Sequence, residues 1–314
     1  MKKEIIPTNL SVLAPGQNLL TQVPEESVWL ANFVSKQTKA TYKNAVKDFI
    51  GFHGIKSAED LRGMRQAHMI AWRDRLIELG HSERTITNRL SAVSSLFDHL
   101  CEKQLVPTNP VNGIKRPKVD QTRVKSPLLT KQQVRRLLDA PDPNTLKGAR
   151  DLAILSVLAY AGCRISEVCS LRIKDYYEDG GYKMLSFRIK GGKRHPIGIN
   201  RELEVALDYY LRMIDHSGDL DAPMFMAVQR MSQKKPLTRL AVDNLFKGYV
   251  ARAALPRGTV PHSLRVTFIT TALDNNAQIE KVQETVGHAS IGTTRMYDKR
   301  TFKHRDSASH QVHY

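Results

Sequence analysis

The segment VGHASIGTTRMYDK, residues 286–299, places one histidine and one tyrosine nine positions apart. The His288 imidazole titrates near neutral pH, so it can hydrogen-bond a substrate or exchange a proton with it. The Tyr297 phenol can act as a nucleophile if neighbouring groups take its proton and balance the developing charge. A simpler interpretation is a histidine that follows a helix end and a half-buried tyrosine whose hydroxyl reaches water. The rest of the chain must decide between these interpretations.

Two further blocks carry arginine and histidine. Arg164 lies in AGCRISEVCSL, after a glycine that ends an apolar helix, and His262 and Arg265 lie in PHSLRVTF. Residues three apart share one face of a helix, so the second pair would point the same way. Guanidinium groups are always protonated and match the geometry of phosphate oxygens, so this set suits a phosphodiester. Alternatively, Arg164 neutralises a helix C-terminus and His262 caps a helix N-terminus.

A predicted β-hairpin adds two amines to this set. Residues 180–199, GGYKMLSFRIKGGKRHPIGI, read as a strand, a tight Gly191-Gly192 turn and a second strand. Lys190 and Lys193 lie on either side of the turn, between the Arg164 block and the His262 block in chain order.

Helices must position these residues. Thr130 and Gln133 have the spacing of a capping box that starts a helix. Apolar residues at helical spacing predict two more helices, over 202–214 and 240–254. The region from residue 128 to 314 is therefore expected to be mostly helical with one small sheet.

The preceding region, residues 25–105, has the pattern of a four-helix domain. Apolar residues recur at i, i+3, i+4 and i+7 in residues 38–52 and again in 82–100, where Ser82 fits an N-cap. The polar face between them combines hydroxyl and amide side chains with the basic residues Lys39, Lys43, Lys47, Arg84 and Arg89. A face of one charge sign mixed with hydroxyls predicts contact with a DNA backbone, whereas the simpler alternative is a solvated surface.

Two segments complete the division of the chain. Residues 1–24 contain three prolines and a glycine and are expected to be a flexible lead-in. Residues 106–127 contain four prolines and lack apolar periodicity, which predicts an extended linker. Its basic residues, Lys115, Arg116, Lys118, Arg123 and Lys125, suit a segment that crosses a DNA backbone.

Composition narrows the class of partner. Among the 314 residues, 48 Lys and Arg exceed 31 Asp and Glu by 17, which indicates a polyanionic partner, either nucleic acid or an acidic membrane surface. No apolar run reaches the 18 residues or so of a membrane span, and the N-terminus lacks the apolar core of a signal peptide. Three cysteines without metal-ligand spacing fit a reducing compartment. We therefore expect a cytoplasmic protein that binds DNA or RNA.

In combination these blocks resemble the tyrosine recombinase (phage integrase) family over residues 25–300. The family signature Arg…Lys…His-x-x-Arg…Gly-His…Tyr is matched in order by Arg164, Lys190, His262, Arg265, Gly287-His288 and Tyr297. The words GCRISEV and VGHASIGTTRMY resemble the GLRISEL and LGHSSISTTQIY blocks of the family. Val266 stands where many members have a second histidine, at a position outside the catalytic set.

The resemblance implies a fold and a reaction. The fold would be mainly α with a small β-sheet, comprising a four-helix SAM-like DNA-binding domain and an α+β catalytic domain. The enzyme would cleave and rejoin DNA through a 3′-phosphotyrosyl intermediate on Tyr297, without metal, cofactor or ATP. The arginines and histidines would stabilise the phosphate, and a lysine would protonate the leaving 5′-oxygen. Lys190 matches the hairpin lysine of the family better than Lys193, and Glu167 is expected to anchor the local structure by pairing with a basic neighbour.

The resemblance also implies partners. They are double-stranded DNA at specific sites and a homo-tetramer on two duplexes, with a related recombinase or accessory DNA-bending proteins as further partners. The segment after Tyr297 would dock on a neighbouring protomer. Irregular spacing argues against a metal site at His304, His310 and His313 in that segment.

Two other functions use the same residues differently. A type IB topoisomerase-like or telomere-resolving enzyme would share the active site, but the short two-domain layout favours recombination. A DNA-binding regulator that does not cut would have no need of the complete signature.

Overall fold

The computed structural model describes residues 24–118, 124–189, 191–214, 218–228 and 235–300. The chain divides into two compact units, Met1–Asp120 and Gln121–Tyr314. The predicted lead-in, apart from Pro24, lies outside the described residues, as do Lys190, Arg123 and the segment 301–314.

The first unit is helical, as the apolar spacing predicted. Its described helices are α1 (Glu25–Ala31), α2 (Lys36–His53), α3 (Ala58–Arg62), α4 (Gln66–Glu78) and α5 (Glu83–Glu102). The four longer helices agree with the predicted four-helix domain. The additional α3 is short, and it begins where Ser57 and Asp60 exchange reciprocal side-chain to backbone hydrogen bonds.

Helices α2 and α5 form the centre of this unit. Their inner faces bury Val46 and Phe49 of α2 against Leu90, Val93 and Phe97 of α5. Ser82 accepts a hydrogen bond from the Thr85 backbone N–H at 3.2 Å, which confirms the predicted N-cap. The buried faces leave the basic residues of both helices outside the core.

The stretch 106–114 corrects part of the linker prediction. Val106, Val111 and Ile114 are buried in the core of the first unit. Asn109 is also buried, and its side-chain amide donates to a carboxylate oxygen of Asp98 at 2.6 Å. These apolar residues are spaced irregularly because the chain turns repeatedly here, so they give no periodic signal in the sequence. The linker prediction was therefore wrong for 106–114.

The second unit combines helices with one small sheet, as predicted. Its described elements are α6 (Lys131–Leu138), α7 (Leu146–Tyr160), α8 (Ile165–Ser170), a 3₁₀ turn (Ile173–Asp175), β1 (Tyr176–Asp179), β2 (Tyr182–Arg188), β3 (Arg194–Gly198), α9 (Arg201–Met213), α10 (Arg239–Arg252), α11 (Pro261–Asp274), α12 (Ile279–Val286) and α13 (Ile291–Tyr297). The capping box predicted at Thr130 and Gln133 starts α6. In the described part of the chain, no helix is both long and apolar enough to cross a bilayer.

The sheet is antiparallel, in the order β1-β2-β3. Strands β2 and β3 are the predicted hairpin, with Leu185 opposite Ile197 and Phe187 opposite His195. Gly191 and Gly192 have φ values of 86° and 76°, a left-handed conformation that glycine adopts without steric cost. Strand β1 was not predicted from the sequence.

Helix α7 is the centre of the second core and packs against α9 and α11. It contributes the fully buried Ile154, Leu155 and Val157. Helix α11 is buried along most of its length, so the first turn of α11 is held in a fixed position. That turn carries His262 and Arg265.

Candidate active site

The two histidines and Arg265 surround the ring of Tyr297. The centroid of the Tyr297 ring lies 5.1 Å from that of His262 and 5.0 Å from that of His288. The guanidinium carbon of Arg265 lies 5.9 Å from the Tyr297 centroid. Three separate elements, the start of α11, the loop after α12 and the last turn of α13, thus bring four of the predicted residues together.

Arg265 links the segment that follows α7 to the end of α12. It is fully buried, and its two terminal nitrogens donate to the carbonyls of Gly162 at 2.6 Å and Val286 at 2.8 Å. Gly162 has a φ of 57°, and a Cβ there would lie 2.5 Å from the Phe268 ring, so glycine is required. The Nε of Arg265 is buried and has no partner among the described residues. A buried cation bound only by carbonyls favours an anion nearby.

Arg164 is held in place by the carboxylate of Glu167. It is the N-cap residue of α8, and the Glu167 carboxylate accepts from its backbone N–H and from its guanidinium, both at 2.7 Å. Glu167 is buried, whereas the Arg164 side chain is 41% exposed. The carboxylate therefore fixes the guanidinium without covering it, and the pairing predicted for Glu167 is confirmed.

Both histidines are neutral at pH 7. Burial and, to a smaller extent, the charges of Arg265 and Arg164 together lower the pKa of His262 to about 4. Burial likewise lowers the pKa of His288 to about 3, with Arg265, Arg164 and His262 as the additional causes. Each neutral imidazole carries one N–H donor and one nitrogen acceptor. The N-cap position of α11 is occupied by Val260, whose N–H donates to the Ser263 hydroxyl, whereas His262 lies inside the first turn. The alternative role of His262 as the capping residue is therefore wrong.

The His288 backbone is held by the end of α12. Gly287 is left-handed with a φ of 63°, and the N–H groups of Gly287 and His288 donate to the carbonyls of Glu284 and Gln283. This pairing is a Schellman motif, which fixes the path of the chain after the helix. The Gln283 side chain also donates to the His288 carbonyl at 2.9 Å.

The His288 ring is held by Thr294. The Nδ1 atom lies 3.0 Å from the Thr294 hydroxyl, and both residues are buried. The Nε2 atom is buried without a partner in the described part of the chain. Thr294 and Gln283 were not predicted from the sequence, because threonine and glutamine in a helix do not signal which side chain or carbonyl they contact across the following or preceding turn.

The β2–β3 hairpin meets the active-site region through His195. Its Nε2 lies 3.0 Å from the Thr285 carbonyl, in the last turn of α12. Lys193 is exposed beside the turn. Lys190, the lysine favoured from the sequence, lies outside the described residues, so its place in the catalytic set stays a prediction.

The first unit presents a basic face. Lys39 and Lys43 are half-buried, Lys47 and Arg84 are exposed, and Arg89 pairs with Asp48 at 2.9 Å. Within the described residues, the three lysines have no carboxylate partner. Over the same residues, no cluster of three or more histidines, cysteines or carboxylates could hold a metal ion.

Comparisons with family models cover most of the chain. Residues 127–304 match the phage integrase family, and residues 25–104 match the N-terminal SAM-like domain of phage integrases. The tyrosine recombinase XerC of Myxococcus xanthus is 31% identical over 240 residues, which are 74% of this chain and 77% of that one. XerC of Herpetosiphon aurantiacus is 31% identical over 265 residues, 83% of each chain.

Solved structures share the fold at lower identity. XerH recombinase bound to its difH substrate in a pre-cleavage complex has a TM-score of 0.66 at 20% identity, covering 92% of this chain and 82% of that one. The Tn1549 transposon integrase in complex with circular intermediate DNA has a TM-score of 0.69 at 17% identity, covering 92% and 98%. A lambda integrase dimer bound to a core site has a TM-score of 0.65 at 18% identity, covering 88% and 96%.

Proposed function

Because the chain belongs to the phage integrase family and is a site-specific tyrosine recombinase, we propose that it cleaves and rejoins DNA through a 3′-phosphotyrosyl intermediate on Tyr297. The observation that carries this proposal is the environment of the Tyr297 ring, between two neutral histidines and 5.9 Å from a buried guanidinium. A phenol held in this way can lose its proton while the charge on an attacked phosphate is balanced.

The arginines stabilise the scissile phosphate. A phosphodiester is an anion that repels nucleophiles, so attack requires positive charge on its non-bridging oxygens. Arg164 offers the exposed edge of a guanidinium that Glu167 already orients, and Arg265 offers its unpartnered Nε. Such preorganised donors need little rearrangement when charge develops in the transition state.

The cleavage step exchanges one phosphoester bond for another. The Tyr297 oxygen attacks phosphorus as a neutral imidazole, either His262 or His288, accepts its proton. The P–O5′ bond breaks, and the leaving oxygen takes a proton from Lys190 to become a 5′-hydroxyl. The new phosphotyrosyl ester conserves the bond energy, so a 5′-hydroxyl of another strand can reverse the step without ATP. The guanidinium and imidazole groups supply the charge and proton transfer, so the scheme uses no metal or cofactor.

The proposed partner is double-stranded DNA that carries a specific recombination site. Because the protein acts on DNA, we expect it to work in the cytoplasm. The similar XerH and lambda integrase structures are described as complexes with a difH substrate and with a core site. Exchange between two duplexes needs four cleavages, which a homo-tetramer supplies with one Tyr297 from each protomer. A related recombinase could replace two protomers, and accessory DNA-bending proteins could set the direction of exchange.

An apolar groove of the second unit is a candidate surface for assembly. It is lined by α6, α7, α9 and α11 residues that include Val134, Leu138, Tyr160, Val205 and Phe268. The family resemblance implies that the segment after Tyr297 docks on a neighbouring protomer, and we propose this groove as the docking surface. A chain ending at residue 300 should bind single sites normally but lose higher-order complexes in cross-linking. Unchanged tetramers would contradict the assignment.

DNA strand cleavage in the presence of a metal chelator tests the proposed function. The substrate is a supercoiled plasmid carrying a duplex that the purified protein selects from random-sequence DNA. Covalent protein–DNA complex should form undiminished in excess EDTA, only on plasmids with the selected site. Activity that disappears with EDTA and returns with Mg²⁺ would overturn the mechanism. Relaxation of a plasmid without the site would point to a topoisomerase.

The role of Lys190 has its own test. General-acid assistance is typically worth about 10²–10⁴-fold, so Lys190→Ala should slow cleavage by that range. Replacing the bridging 5′-oxygen with sulfur makes a leaving group that departs without a proton. This substrate should therefore restore most of the cleavage rate of Lys190→Ala but not that of Arg164→Ala. Rescue of Lys193→Ala instead would assign the acid to Lys193.

A further inference from the structure

Thr294 lies one helical turn before the nucleophile, on α13. It is fully buried, although threonine hydroxyls more often face solvent or bond to the backbone of their own helix. In the described part of the chain its hydroxyl has one hydrogen-bond partner, the Nδ1 of His288 at 3.0 Å. The nucleophile-bearing helix therefore also determines what His288 can do.

This contact decides where the single proton of the His288 ring lies. A neutral imidazole is protonated on either Nδ1 or Nε2. If Nδ1 carried the proton, the buried hydroxyl of Thr294 would accept it, and its own O–H would have no acceptor. The Nδ1–H form would thus leave two buried groups without a partner, the Thr294 O–H and the Nε2 atom. If Nε2 carries the proton, the hydroxyl donates to Nδ1 and the Nε2–H alone has no partner among the described residues. Unsatisfied buried donors are costly, so the second arrangement is favoured.

We propose that Thr294 is a positioning residue that fixes the Nε2–H tautomer of His288, so that this histidine presents a hydrogen-bond donor to the scissile phosphate. The inference rests on the proposed function for the identity of the ligand. The buried Nε2, which has no partner in the described residues, is then a donor kept for the phosphate oxygen.

The assignment separates the roles of the two histidines. The ring nitrogens of His262 have no hydrogen-bond partner in the described residues, so neither tautomer of that ring is fixed. His262 can therefore accept the Tyr297 proton, whereas His288 acts as a donor. The two imidazoles lie at similar distances from the Tyr297 ring, so the contact with Thr294 is what distinguishes them.

Nitrogen NMR of the full-length protein labelled with ¹⁵N-histidine reads the tautomer directly. The His288 signal is assigned by its loss in His288→Gln. We expect the Nε2–H form in the wild type, in Thr294→Ser, which keeps the hydroxyl, and in the neighbouring control Thr293→Val. Thr294→Val keeps the shape but removes the hydroxyl, so it should populate the Nδ1–H form. A wild-type His288 protonated on Nδ1, or an unchanged tautomer in Thr294→Val, would overturn the proposal.

The rate of covalent-complex formation provides a second, independent test with the same variants. Loss of one oriented hydrogen bond predicts that Thr294→Val slows covalent-complex formation by about 3- to 10-fold, with recovery in Thr294→Ser. In a His288→Gln background the valine substitution should have no further effect, because no tautomer remains to be set. An equal effect in both backgrounds would mean that Thr294 acts only through packing. Failure of the wild type to cleave would refute the proposed function, while the NMR result would still decide the tautomer.

Discussion

The two units of the chain hold their positive charge in opposite ways. In the first unit, Lys39, Lys43 and Lys47 extend from α2 without carboxylate partners among the described residues, and none is fully buried. In the second unit, Arg265 is fully buried and bound by two carbonyls, and Glu167 holds Arg164 from one side.

This difference distinguishes general attraction of the DNA backbone from recognition of a single phosphate. Mobile surface amines attract any phosphate and lose much of their effect as salt rises. A buried guanidinium with fixed donors interacts with one phosphate placed in one geometry, and salt screens it much less. Under the proposed function, the first unit would bind the duplex, and the second would select and activate one phosphodiester bond.

The largest expected effect comes from replacing the buried guanidinium of Arg265. Arg265→Lys keeps the charge but carries its donors on a single nitrogen, which cannot replace the three separate guanidinium nitrogens that face Gly162, Val286 and the phosphate. Loss of one preorganised donor typically costs about 10²–10³-fold in rate, so covalent-complex formation should fall by that range. Gel-shift affinity for the selected duplex should change little.

The matched control is Arg257→Lys, which alters an exposed arginine of the same unit. It should leave the rate unchanged. Equal losses in both variants would show that the burial of Arg265 has no special role.

Substitutions in the first unit are expected to change the cleavage rate little but to weaken DNA binding clearly. Replacing Lys39, Lys43 and Lys47 by alanine should weaken binding and lower the slope of log affinity against log salt by about 1 per lost phosphate contact. Cleavage at saturating protein should stay near the wild-type rate.

The control removes the same charge elsewhere. Lys183, Lys247 and Lys281 of the second unit each pair with a carboxylate. Their triple alanine variant should keep most of the wild-type salt slope. A slope that falls equally in both triple variants would mean that net charge alone, and not the α2 face, governs binding.

The smallest effect concerns stability. His262 has a pKa of about 4 in the folded protein and about 6.5 when unfolded, so the unfolded state binds more protons between these values. The contribution of His262 to the free energy of unfolding is therefore fully present above pH 6.5 and is lost as the pH drops towards 4. In urea unfolding, His262→Gln should lose less stability than the wild type between pH 7 and pH 5.

His53 of the first unit also has its pKa lowered, mainly by burial, and contributes to the wild-type pH dependence. The informative quantity is thus the difference between the wild type and His262→Gln. An identical pH dependence in the two proteins would contradict a neutral, buried His262.

Local signals in the sequence predicted much of this molecule. The caps at Thr130 and Ser82, the Gly287 helix end and the Gly191-Gly192 hairpin each depend on a few neighbouring residues, and the structure contains all four. The burial of 106–114 and the contact of Thr294 with His288 could not be predicted in this way. The burial of 106–114 depends on packing against the helices of the first unit, and the contact between Thr294 and His288 depends on the path of the turn that joins α12 to α13. The periodicity of a single segment encodes neither.

The most direct test of the central claim is to locate the covalent bond. The protein is incubated with its selected duplex, digested with nuclease and trypsin, and analysed by mass spectrometry. The account predicts a nucleotide 3′-phosphate on Tyr297, in the tryptic peptide covering residues 296–299, and no adduct in Tyr297→Phe, which should still bind the duplex. An adduct on any other residue, or one that persists in Tyr297→Phe, would contradict the account.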